Sequence, residues 1–256
     1  MAGPKASMTW WSFANRGVTD GDLIRGVASI GYDGIELADE ALWPVIADAG
    51  LTIASHRGHG TIESGLNRTE NHDRIEAEIL SNLELARRWR IPLLICFSGS
   101  REGLADEEGA KITALGLSRV ARAAEDAGVT LVLELLNSKF DHPDYQCDRT
   151  TWGQEVIERV GSARVRLLYD IYHMQVMEGD LVRTVQTHHD AFAHYHVAGN
   201  PGRHEPDRSQ EISYPAIYQA IAATGFEDYV GMEYLPRGGP VESLQAALDD
   251  FRAATA

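Results

Sequence analysis

Apolar and polar positions follow one repeating rhythm along this chain: a short apolar run, a longer segment with apolar residues every three or four positions, then a break. Thr9–Ala14 is aromatic and strand-like, and Asp20–Ile30 carries Leu23, Ile24, Val27 and Ile30 at helical spacing. Ile35–Leu37 is a second strand, Leu42–Ala49 a helix stopped at Gly50, and Leu51–Ser55 a strand running into His56-Arg57-Gly58-His59-Gly60. An amphipathic segment at 68–90 precedes a strand at Leu93–Phe97, and a helix at Asp106–Ala127 ends at Gly128. Thr130–Leu136 is a strand, Thr151–Val160 a helix, Val165–Tyr169 a strand and Leu181–His188 a helix. The strands His194–Val197 and Tyr229–Met232 flank a long polar loop at 199–213 and a helix at Pro215–Ala223. A helix at Val241–Ala254 follows.

These are eight strand–helix alternations in 256 residues, about 30 residues each. Such alternation builds a parallel sheet, and eight units of this length favour an α/β fold of one closed (β/α)8 barrel over an open doubly wound sheet. With no composition shift along the chain, a single domain over 8–256 is expected, after a flexible tail at 1–7. No G-x-G-x-x-G follows the first strand, so no nucleotide cofactor is expected.

Barrels gather chemistry at the carboxyl ends of their strands. The apolar run Leu167-Leu168-Tyr169 closes on Asp170, and three further runs carry Glu134, His196 and Glu233. One acid at such a place is accounted for by a helix cap. Three carboxylates and an imidazole on four successive strands call for more. Carboxylates packed together raise one another's pKa, and a divalent cation removes that repulsion. The alternative is that each acid pairs with its own arginine. Three oxygen donors and one imidazole suit Mn2+, Mg2+ or Co2+ better than a structural zinc site, and leave positions for substrate oxygens. Around this centre stand His173, Asn137, Arg203, His56 and Arg57, candidates for holding substrate. For three of them a plainer role competes: a structural hydrogen-bonding group for His173, a turn former for Asn137, a surface ion pair for Arg57.

Charge then narrows the partners. Lys and Arg total 23 against 38 Asp and Glu, a formal charge of −15, which repels nucleic-acid backbones and anionic membranes. Two cysteines, Cys96 and Cys147, make neither a disulfide framework nor a cysteine zinc site. With no apolar span of about 20 residues and no secretory leader, a cytoplasmic protein acting on a small molecule is expected. Nothing in the chain opposes a homo-oligomer.

The blocks Glu134-Leu135-Leu136-Asn137, Tyr169-Asp170-Ile171-Tyr172-His173-Met174-Gln175, Met177-Glu178-Gly179-Asp180 and Asn200-Pro201-Gly202-Arg203-His204-Glu205-Pro206 resemble a known family. So do Gln210-Glu211-Ile212-Ser213-Tyr214-Pro215 and the strand-end Glu233. The chain resembles the sugar isomerase/epimerase superfamily of xylose isomerase-like TIM barrels, and within it most closely the hydroxypyruvate isomerases. The motifs cover the second half; the first half matches in architecture alone. The resemblance implies a divalent metal on Glu134, Asp170, residue 196 and Glu233. It also implies an acid/base pair of Glu134 and Glu233, with His173 and Arg203 on substrate oxygens. Two positions depart from the pattern. Hydroxypyruvate isomerases often carry Gln where His196 stands, whereas the ketose 3-epimerases carry His. Phe140 occupies the place where those epimerases have a substrate-binding Glu.

The implied reaction interconverts hydroxypyruvate and tartronate semialdehyde through an enediolate, with Glu-mediated proton transfer and Arg203 or Arg57 on the substrate carboxylate. Its rivals are a ketose 3-epimerase, a lyase of the inosose dehydratase type, a DNA-repair endonuclease and a non-enzymatic sugar-binding module. The charge argues against the endonuclease, and two strand-end glutamates argue against the binding module.

Overall fold

A computed structural model describes residues 3–255. Eight strands run β1 (Lys5–Thr9), β2 (Gly34–Glu36), β3 (Thr52–Arg57), β4 (Leu93–Cys96), β5 (Thr130–Glu134), β6 (Val165–Asp170), β7 (Phe192–Val197) and β8 (Tyr229–Met232). They close in sequence order into a parallel barrel. Between and after them lie α1 (Trp10–Phe13), α2 (Asp20–Ile30), α3 (Trp43–Asp48), α4 (His72–Trp89), α5 (Asp106–Ala127), α6 (Thr150–Val160), α7 (Ile171–Met177), α8 (Leu181–His188), α9 (Tyr214–Ala223) and α10 (Pro240–Thr255). Among the described residues no helix is long and apolar enough to cross a membrane.

By its contacts the barrel divides into two compact units, one of residues up to 54 with 180–189 and 194 onward, the other of 55–179 with 190–193. In the first, β1 pairs with β8 and β2 so that Ser7 stands level with both Gly34 and Gly231. The expected start of the fold needs correction here. Residues 5–7 of the anticipated tail are strand, because Ala6 and Met8 are buried and pair with Val230 and Met232. The anticipated strand at 9–14 is instead the end of β1 and the helical turn α1. Residues 1 and 2 of that tail lie outside the described residues. Thr19 caps α2 by accepting from the Asp22 amide, and α2 stops at Gly31, whose φ of 95° suits glycine.

In the second unit, β4 and β5 are buried along their whole length and apolar apart from Thr130 and Glu134, the pattern of strands covered on both faces. α4 lays Ile75, Ile79, Leu83 and Ala86 on its inner side at spacings of three and four. Full burial of each Ile or Leu side chain among them is worth about 1.5–3 kcal/mol. Two boundaries move relative to expectation. β5 ends at Glu134 instead of Leu136, and β3 continues through His56 and Arg57, which are therefore strand residues rather than loop.

Candidate metal centre and active site

In the first unit the alternation of β7 puts His194 and His196 on one face, two residues apart and fully buried. His196 Nδ1 lies 3.2 Å from Glu233 Oε2, at the end of β8. Arg203 donates from Nη2 to the same oxygen at 2.7 Å, with its guanidinium 5.2 Å from the centre of the Trp11 ring. Trp11 itself donates from Nε1 to the other oxygen, Glu233 Oε1, at 3.1 Å. Behind His196 stands Glu36, the last residue of β2. Its Oε2 is 2.9 Å from His194 Nε2 and 3.3 Å from His196 Nε2, and its Oε1 accepts from Ser7 Oγ at 2.6 Å. Burial pulls the Glu36 carboxyl upward, but the two imidazoles beside it outweigh that and hold it well below the usual carboxylate range.

In the second unit Glu134 and Asp170 end β5 and β6, both buried. Asp170 Oδ1 accepts the amide of His173 at 2.8 Å and so caps α7, a helix that begins directly at the strand end. The helix cap weighed for Asp170 is therefore present, and it engages Oδ1. His173 is fully buried, and its Nδ1 lies 3.2 Å from the Asn137 amide and 2.6 Å from Asn137 Nδ2. With Nδ1 accepting, the ring proton belongs on Nε2, which stands 3.9 Å from Asp170 Oδ2. Asn137 Oδ1 accepts the amides of Phe140 and Asp141 at 3.1 and 3.0 Å, so this residue both shapes the turn after β5 and orients His173. His56 is buried and Arg57 exposed at the end of β3.

Glu134 and Asp170 of the second unit and His196 and Glu233 of the first are all buried at or near strand ends, three carboxylates and one imidazole. The buried acidic and imidazole groups can hold a metal ion, and the donor chemistry fits one. If His196 gives its Nε2 proton to Glu36, its Nδ1 lone pair faces the Glu233 carboxylate, an arrangement that a cation relieves. Four residues of this neighbourhood are not among the candidates read from sequence: Glu36, His194, Trp11 and Ser7. Glu36 had a readable signal, because Gly34-Ile35-Glu36 is another short run closing on an acid. Trp11 had none, since its aromatic stretch reads as strand.

The comparisons with known proteins agree with this architecture. A 2-oxo-tetronate isomerase of Cupriavidus necator is 36% identical over 143 residues, 55% of this chain and 54% of that protein, so the match spans about half of the relative's length. A human protein provisionally named hydroxypyruvate isomerase is 28% identical over 237 residues, 86% of each chain. A crystal structure of an AP endonuclease of family 2 from Brucella melitensis superposes with a TM-score of 0.85 at 24% identity, over 94% of this chain and 96% of that one, a likeness of fold. The family model described as xylose isomerase-like TIM barrel matches residues 24–253. With most of the chain inside that match and its eight parallel strands closed in order, the protein belongs to the xylose isomerase-like TIM barrel family.

Proposed function

We propose that the protein is a divalent-metal-dependent isomerase that moves the carbonyl of a small hydroxy-keto acid to the neighbouring carbon. The observation that carries this reading is the set of buried strand-end side chains Glu134, Asp170, His196 and Glu233: two glutamates, an aspartate and an imidazole. Relatives named for hydroxypyruvate and 2-oxo-tetronate, both 2-oxo acids, support the substrate class.

A bound Mn2+, Mg2+ or Co2+ would supply Lewis-acid stabilisation of the negative charge that develops on adjacent substrate oxygens, typically worth several kcal/mol. Glu134, Asp170, His196 and Glu233 would hold it. The chain's own residues do the rest. One of Glu134 and Glu233 takes the proton from the hydroxyl-bearing carbon, leaving an enediolate; the same or the other glutamate returns a proton to the former carbonyl carbon, and the hydroxyl proton passes to the former carbonyl oxygen. Each correctly placed acid/base contributes on the order of 10²–10⁴-fold. Trp11 Nε1 and Arg203 Nη2, one on each oxygen, fix the orientation of the Glu233 carboxylate. Arg203 is also a cation beside Glu233 that can receive a substrate carboxylate, and His173, held by Asn137, presents an Nε2 proton to a substrate oxygen.

The test is solvent-deuterium incorporation into hydroxypyruvate by Mn2+-loaded protein in D2O. Exchange at the hydroxymethyl carbon, abolished in Glu134→Gln and Glu233→Gln, is the expected result; no exchange into any small α-hydroxy keto acid or ketose would sink the reading. A ketose 3-epimerase is the second reading, favoured by His196 in its His-x-His-Val setting. Arg203→Ala separates the two, costing a keto acid far more than a neutral ketose.

A further inference from the structure

Of the buried polar groups, one cluster meets the proposed ligand His196 at Nε2, the ring nitrogen other than the one that faces Glu233. Glu36 is fully enclosed, as are Ser7, His194 and His196 around it. A bare carboxylate in such a place costs several kcal/mol unless its lone pairs are occupied. Here three donors occupy them: Ser7 Oγ on Oε1, and the two Nε2 atoms on Oε2. The backbone is built to admit this arrangement. A Cβ at Gly231 would overlap Glu36 Oε1 and come within 2.8 Å of His196 Cδ2, so only glycine lets carboxylate and imidazole meet at that level of β8.

We propose that Glu36 is a positioning residue for His196: by accepting the Nε2 proton it fixes the imidazole in one tautomer and one ring orientation, and so presents Nδ1 to the cation. His194 and Ser7 complete the device by holding the Glu36 carboxylate still from two other directions. This rests on the metal-dependent reading above, in which His196 is a ligand. The physical logic is that of an imidazole ligand whose outer nitrogen gives its proton to a carboxylate. That contact orients the ring and raises its basicity toward the metal, and losing it typically lowers metal affinity about 10–100-fold. The same three groups, Glu36, His194 and His196, also have donor atoms within 4.8 Å of one another, the spacing of a second cation site. The contacts favour the hydrogen-bonded arrangement. Nitrogen–oxygen separations of 2.9 and 3.3 Å are those of N–H donors on a carboxylate, and a second ion would require His196 to bridge two metals as an imidazolate.

Two measurements test it. Long-range 1H–15N correlation on metal-free, 15N-histidine-labelled protein reads the tautomers directly; Nε2–H is expected at both 194 and 196. Calorimetric titration with Mn2+ is expected to give one equivalent for the wild type, affinity about 10–100-fold weaker for Glu36→Gln, and a smaller, few-fold loss for Ser7→Ala. Ser7→Ala keeps both imidazoles and the carboxylate, so it and the wild-type tautomers decide the matter should Glu36→Gln not fold. The inference is overturned by a His196 ring protonated on Nδ1 alone, or by wild-type Mn2+ affinity in folded Glu36→Gln. A second Mn2+ equivalent that Glu36→Gln loses would overturn it as well. A wild type that binds no Mn2+ would instead defeat the metal reading, while the tautomers would still report on Glu36.

Discussion

At the scale of single residues, the chain keeps several ionisable groups out of water, and each sets a condition on its stability. His59 is the cleanest case. It is 1% exposed, and its Nε2 accepts the Phe97 amide at 2.9 Å. Burial pulls its pKa down from 6.5 to about 4. The sign follows from proton counting. Between those two values the unfolded chain binds a proton that the folded chain refuses, so stability rises with pH across that window and is lost as pH falls through it. We expect wild-type unfolding free energy to drop by up to about 3 kcal/mol from this group between pH 7 and pH 4. In His59→Gln, which can still accept the Phe97 amide but does not titrate, that share of the pH dependence should vanish. Urea titrations of both proteins across that range check it, and parallel pH profiles would refute it. Glu134, Asp170, His196 and Glu233 were legible at this scale because each interrupts an apolar run. Trp11 was not, because its contact with Glu233 spans 222 positions of sequence and nothing local marks it.

At the scale of elements, helix ends show where sequence rules held and where they were overridden. α2, α5 and α6 end on glycines in the left-handed region, at Gly31, Gly128 and Gly161. α4 ends instead on Arg90 with a φ of 59°, a conformation that costs an L-residue about 1–2 kcal/mol. Arg90 is exposed at the helix end, and among the described residues no side-chain hydrogen bond from it offsets that cost. Arg90→Gly is therefore expected to stabilise the protein by about 0.5–1 kcal/mol, the backbone gain exceeding glycine's greater unfolded-state entropy. Chemical denaturation reads this directly, and a variant less stable than wild type would refute it. α7 was the element that sequence reading passed over. Seven residues are too few to show helical periodicity, so the cap weighed for Asp170 had no visible helix to attach to.

For the whole molecule, the proposed cation would join carboxylates that otherwise repel. Metal binding to the folded chain alone raises stability by mass action, by about 2.7 kcal/mol at a hundredfold excess over the dissociation constant. For a protein of this size that corresponds to a rise in Tm of roughly 5–10 °C. A thermal melt with Mn2+ is expected to show this rise, EDTA to reverse it, and Asp170→Asn to abolish it. Equal melting with and without metal in the wild type would count against the site. The −15 charge acts at this scale too, since it makes an anionic substrate depend on local cations such as Arg203.

The sequence by itself determined the strand–helix rhythm, the barrel it builds and the four ligand candidates, because period and burial are local properties that apolar spacing records. Tertiary structure alone decided that β1 begins at Lys5, that Asp170 also caps a helix, and that Glu36, Ser7 and His194 stand behind His196. Those facts depend on which residues meet across strands far apart in the chain, and hydrogen-bond partners 158 and 160 positions away leave no periodic trace in the residues between them.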